Sequence, residues 1–128
     1  MAAASFTSEA AATVAARALR AAGLRAQDVT VLASDPRVAA AVAAEADVFT
    51  PRRRPLFVLR VGQRLPRDVR RRYGGALAAG SIVVVAAALT QPAETLEAVL
   101  ERAGGAAVVS WWQEPTDIFP PAELAGPL

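Results

Sequence analysis

The sequence predicts an α+β domain built around one sheet, and three observations lead there. Runs rich in Val, Ile and Leu alternate along the chain with Ala-rich stretches of helical character. The order repeats: Thr7-Ser8-Glu9, helix, Leu19-Arg20-Ala21-Ala22-Gly23 and strand return as Thr90-Gln91-Pro92, helix, Leu100-Glu101-Arg102-Ala103-Gly104 and strand. Neither half carries the ligand-binding strand-to-helix loop of a doubly wound sheet. Two βαβ units in series predict a ferredoxin-like sandwich, an antiparallel sheet with helices on one face, here with extra helices and an extended Pro-rich C-terminal tail. A three-layer α/β arrangement is the alternative. Residues 1–112 form the expected domain and 113–128 the tail.

Each element has a local reason. Ala2 to Phe6 is poor in β-formers, so it is an edge strand or barely a strand. Thr7-Ser8-Glu9 supplies a hydroxyl cap and a first-turn acid for a helix to Ala22, with Val14, Ala18, Leu19 and Ala22 as its expected buried stripe. Gly23 ends it in the left-handed conformation. Asp28 to Ala33 reads as a strand. Asp35-Pro36 opens a second helix, running to about Ala46, because a carboxylate caps and proline suits the first helical position. Pro51 and Pro55 bracket an irregular Arg52-Arg53-Arg54 segment, and Leu56 to Val61 reads as a strand.

Pro66 starts a third helix with Leu65, Val69, Tyr73 and Leu77 on its apolar stripe. Gly74 and Gly75 within it predict a break or a close backbone approach. Ser81 to Ala88 is continuously apolar, as a central strand covered on both faces would be. A fourth helix runs to Ala103 with Leu96, Val99 and Leu100 inward, and Ala106 to Trp112 is the last strand. The apolar stretch from Ala76 to Leu89 is too short to span a bilayer. The opening residues lack the basic start of a signal peptide, so the expected location is the cytoplasm.

Composition removes whole classes of chemistry. The 128 residues contain no Cys, no His and no Lys; all 14 bases are Arg, and 32 residues are Ala. Thiolate metal sites, cysteine nucleophiles, histidine bases and Schiff-base mechanisms are therefore out of reach. Gly74, Gly75 and Gly80 do not have dinucleotide-binding spacing, and a phosphate loop needs Lys. The pairs Glu45/Asp47 and Glu114/Asp117 stand near no candidate nucleophile, and no Asp-rich loop offers a hard-metal site. The expectation is no catalytic residue, no cofactor and no metal.

Charge is unevenly placed. Residues 51–72 hold nine Arg against Asp68 alone, whereas the rest of the chain sets five Arg against eleven acids. Arg52, Arg53, Arg54, Arg64, Arg67 and Arg71 are the candidate anion or partner surface. Arg70, Arg71 and Arg72 fan over about 200° of a helix, so they cannot all face one ligand. The structural alternative is that they pair with acids of other helices or of a second subunit, and a coding bias toward G and C explains Arg-only usage equally well. With little aromatic interleaving, nucleic acid is the less favoured partner. Trp112, Ile118 and Phe119 are candidate anchors by which the tail docks on its own domain or on a protein partner.

Leu65-Pro66, the Arg70-Arg71-Arg72-Tyr73 helix, Leu77, Gly80, the Val-rich strand and the following helix with Ala103-Gly104 resemble the C-terminal half of the bacterial general stress protein (YflT-like) domain family. The N-terminal half is similar through Phe6, the helix ending Leu19-Arg20-Ala21-Ala22-Gly23 and the Asp28 to Leu32 strand. The chain departs from that pattern over Thr50 to Arg64, where members carry a Gly- and Ala-rich apolar segment. The resemblance implies a fold and a link to stress, and it carries over no catalytic residue. The resulting expectation is a non-catalytic cytoplasmic domain for assembly or protein interaction, forming a homo-oligomer, with a dimer foremost. A small-ligand regulatory domain, or an anion-surface binder acting through residues 51–72, is the alternative.

Overall fold

The computed structural model describes residues 1–50, 67–88 and 91–111. In chain order these form β1 (Ala2–Phe6), α1 (Glu9–Ala21), β2 (Val29–Leu32), α2 (Pro36–Ala46), α3 (Arg67–Ala78), β3 (Ile82–Ala86), α4 (Ala93–Arg102) and β4 (Ala106–Ser110), with a 3-10 turn at Ala26–Asp28 before β2. The expected strand at Leu56 to Val61 and the tail at 113–128 lie outside the described residues.

The helix ends are set by the signals that the sequence displays. The Ser8 side chain accepts the Ala11 N–H at 3.1 Å, and the Asp35 carboxylate accepts that of Arg37 at 2.9 Å. Gly23, at φ 105°, turns the chain out of α1. Gly74 and Gly75, in contrast, cause neither a break nor a close approach. α3 runs through them, and a Cβ at either would meet nothing within 4 Å.

The strands form one antiparallel sheet in the order β2-β3-β1-β4. β1 and α1 lead to β2, and β3 and α4 lead to β4, so each βαβ unit leaves a gap that a strand of the other unit fills. β3 is central, as its continuous apolarity predicts, with all five residues buried. β1 is central too, against expectation, and is also wholly buried. Its Ala side chains project little, which lets helices close over both faces of the sheet; packing there outweighs weak strand propensity.

The two faces are covered differently. Ala2, Ala4, Val29, Val31 and Val84 face α1, α2 and α4 in the larger core, together with Leu96 and Leu100 of α4. The buried side of α1 is Ala12, Ala15, Ala16 and Leu19, while Val14 is 55% exposed. Of the expected stripe Leu19 is buried, Ala18 is half-buried, and Val14 and Ala22 are exposed, because the smallest side chains sit where the helix approaches the sheet. On the opposite face, Ala3, Leu32, Val83 and Val85 pack with Val69, Tyr73 and Leu77 of α3. The helices thus do not all lie on one face. α3 forms a third layer, as in the alternative arrangement, over an antiparallel sheet.

Candidate functional site

α3 is the element on which charge and position coincide. Val69, Tyr73 and Leu77 recur every four residues and turn one stripe of the helix toward the sheet. The tyrosine fixes the helix more tightly than apolar contact alone. Its single hydroxyl proton is shared between the Ala3 carbonyl oxygen, 2.9 Å away, and the Ala107 carbonyl oxygen, so α3 is tied to both β1 and β4. Ala107 has φ 51°, and the β1–β4 register shifts between Ala3 and Ser5. The phenol therefore satisfies a carbonyl that an irregular edge strand presents toward α3. Burial pushes the phenol up to about 12, against the opposing pull of the Arg72 charge. Ser34 Oγ adds a hydrogen bond to the Leu77 carbonyl near the other end of the helix.

With that stripe inward, Arg67, Arg71 and Arg72 are exposed and Arg70 is half-buried, in line with the fan expected for consecutive helical positions. The outermost line runs Arg67, Arg71, Gly75 and Ala78, and Asp68 lies beside it as the only acid of the helix. Of the six arginines proposed from sequence, Arg67 and Arg71 are thus brought onto one exposed line. Arg52, Arg53, Arg54 and Arg64 lie outside the described residues, as do Trp112, Ile118 and Phe119.

The ion pairs divide the molecule in two. Arg17 meets Glu45 at 2.7 Å, Arg20 meets Asp47 at 3.3 Å, Arg25 meets Asp28 at 3.1 Å and Arg37 meets Asp35 at 3.5 Å. Each of these arginines lies between α1 and α2, or at the turns leading into β2 and α2. Asp28 shows the effect: burial opposes its ionisation, but hydrogen bonds from the Arg25 side chain and backbone outweigh this and lower its pKa. Among the described residues, no arginine of α3 has an ion pair with an acid of another helix. Arg70 Nε is in addition buried without a hydrogen-bond partner, as are Trp111 Nε1 and Thr30 Oγ1 on the same sheet face.

Unpaired guanidinium groups on a rigid helix can bind anions, because their donors are permanently charged and suit carboxylate or phosphate forks. Among the described residues no cluster of acids could hold a metal ion, and no helix is long and apolar enough to cross a membrane. The α3 stripe is legible in the sequence, whereas the hydrogen bond that Tyr73 shares between two carbonyls is not. A lone tyrosine on an apolar stripe signals that its hydroxyl needs a buried partner; the two carbonyls it finds come from distant strands. Comparisons with protein-family models, with curated proteins and with solved structures returned no match to this chain.

Proposed function

We propose that this chain is a non-catalytic interaction domain whose α3 takes up an acidic protein segment. One observation carries the reading. The arginines around α1 and α2 each hold a carboxylate, whereas Arg67, Arg71 and Arg72 stand exposed without one among the described residues. A structural role for these charges would require local partners; a binding role requires them free. An acidic polypeptide suits the surface better than nucleic acid. The charges fan around the helix rather than tracking one backbone, and the only large apolar side chain exposed among the described residues is Val14, so no stacking platform accompanies them.

The strand order supports a ferredoxin-like reading of the sheet, with α3 as an added layer. The link to bacterial general stress proteins and the cytoplasmic location rest on the sequence resemblance and composition. The test is fluorescence anisotropy of a labelled octaglutamate peptide, with a labelled single-stranded oligonucleotide as a second arm. The wild type binds the peptide at low salt, and R67Q/R71Q/R72Q weakens binding about tenfold or more, as loss of three charge-assisted contacts would. Unchanged peptide affinity in the triple variant overturns the reading; preferential binding of the oligonucleotide transfers the surface to nucleic acid.

A further inference from the structure

Resting on the reading of α3 as an acid-binding surface, we infer that a partner it fits is α4 of a second copy of this chain. α4 carries the complementary pattern. Leu96 and Leu100 face the core, while Glu94 and Glu101 are exposed and Glu97 is half-buried beside them, with Ala98 between. Arg102 is the only base on the helix, and among the described residues no ion pair holds any of its three glutamates. The charge of Glu97 also acts on the Met1 ammonium.

The spacings match. Arg67 and Arg71 stand four residues apart, as do Glu97 and Glu101, and at 1.5 Å per residue each pair spans about 6 Å. Laid antiparallel, Arg67 comes opposite Glu101 and Arg71 opposite Glu97, and Gly74 and Gly75 come opposite Glu94. Neither glycine has a neighbour within 4 Å of where a Cβ would stand, and Ala98 is small, so the two helix surfaces can approach closely. This gives the unbroken but glycine-containing α3 a role that its own fold does not require.

One molecule cannot satisfy itself. α3 covers one face of the sheet and α4 the other, so the basic and acidic lines of a single chain point apart. Contact between α3 of one copy and α4 of the next is heterologous and leaves a free α3 at one end and a free α4 at the other. Association then grows head to tail instead of stopping at a symmetric dimer. Because the contact is charge-led and exposed, salt weakens it.

Charge reversal tests this on the full chain. R67E/R71E turns the α3 line acidic like that of α4, and E97R/E101R turns the facing α4 line basic like that of α3. Sedimentation velocity of the wild type at low salt shows concentration-dependent growth, lost at about 0.5 M salt, where the Debye length falls to only a few ångströms. Each reversed variant alone is shifted to monomer, with association weakened at least about tenfold, while its far-UV spectrum and thermal midpoint stay at wild-type values. An equimolar mixture of the two variants recovers association, because each then supplies the charge the other lacks. A wild type that stays monomeric at low salt and high concentration overturns the inference, as does association that neither reversal changes. If the wild type is monomeric yet still binds octaglutamate through α3, the second copy is the wrong partner and the acid-binding reading stands. If it does neither, both fall.

Discussion

Replacing Gly105 by Ala adds one methyl group at the point where β4 leaves α4. That carbon would lie 2.7 Å from Ala4 Cβ, 2.9 Å from the Leu100 carbonyl oxygen and 3.1 Å from Phe6 Cζ. Unstrained carbon–carbon contact requires about 3.5 to 4.0 Å, so one of these groups must move by roughly 1 Å. None moves easily: Ala4 is in a central strand, Leu100 is fully buried on α4, and Phe6 fills the larger core. Overpacking of this kind costs about 1–3 kcal/mol, and the rigidity of the neighbours places this case near the upper end. Restricting the unfolded chain offsets about 0.4–1 kcal/mol, leaving a net loss of about 2 kcal/mol. With a urea slope of about 1–3 kcal/mol/M, the unfolding midpoint falls by about 1 M. The same change at Gly74 meets no atom within 4 Å and removes a helix-interior glycine, so it raises stability by about 0.5–1 kcal/mol. The assay is urea unfolding followed by circular dichroism. Equal effects of the two substitutions, or a Gly105→Ala midpoint at or above wild type, would refute the packing of β4 against β1 and α4.

Tyr73 is the only tyrosine, so its ionisation can be followed directly in the ultraviolet. It titrates near pH 12 in the folded protein, above the ordinary value of 10.0. Below pH 10 both states keep the proton. Between about pH 10 and 12 only the unfolded chain loses it, so stability falls with rising pH, by on the order of 2 kcal/mol in all. A folded-state midpoint at pH 10 would contradict burial of the phenol. Tyr73→Phe removes the tie to Ala3 and Ala107 and costs about 1–2 kcal/mol, with faster amide exchange expected in β4 than in β2. Uniform acceleration across the sheet would deny the tie. The Asp28 carboxyl has a lowered pKa in the folded state, so its contribution is present above about pH 4 and fades as pH falls through its native value. Asp28→Asn therefore flattens the acid limb of the stability profile, and an unaltered acid limb counts against the Arg25–Asp28 pair.

What could be read from the sequence was mostly local. Ser8, Asp35 and Gly23 announce helix ends because capping depends on residues within three or four positions. The α3 stripe was legible because bulky Val69, Tyr73 and Leu77 stand out against Arg and Gly. The α1 stripe is hard to read because most of that helix is Ala, and Val14, its one β-branched apolar residue, draws attention yet faces solvent. Ala2–Phe6 hid its central position for a similar reason: its value lies in being small between two helix layers. The division between paired and unpaired arginines was not legible at all. Arg17 and Glu45 lie 28 positions apart, and Arg20 and Asp47 lie 27 apart, so their pairing depends on how α1 packs against α2. The placement of α3 on the second face is likewise tertiary, since its amphipathic pattern fits either side of a sheet.

The claim that α3 is an acid-binding surface is tested most directly by mapping backbone amide chemical shifts while octaglutamate is added to the full-length wild type at low salt. The account predicts that the largest shifts fall within Arg67–Ala78, stay small around the already paired Arg17, Arg20, Arg25 and Arg37, and vanish at high salt. Shifts centred on α1 and α2, or no salt-sensitive shifts on α3, would contradict it.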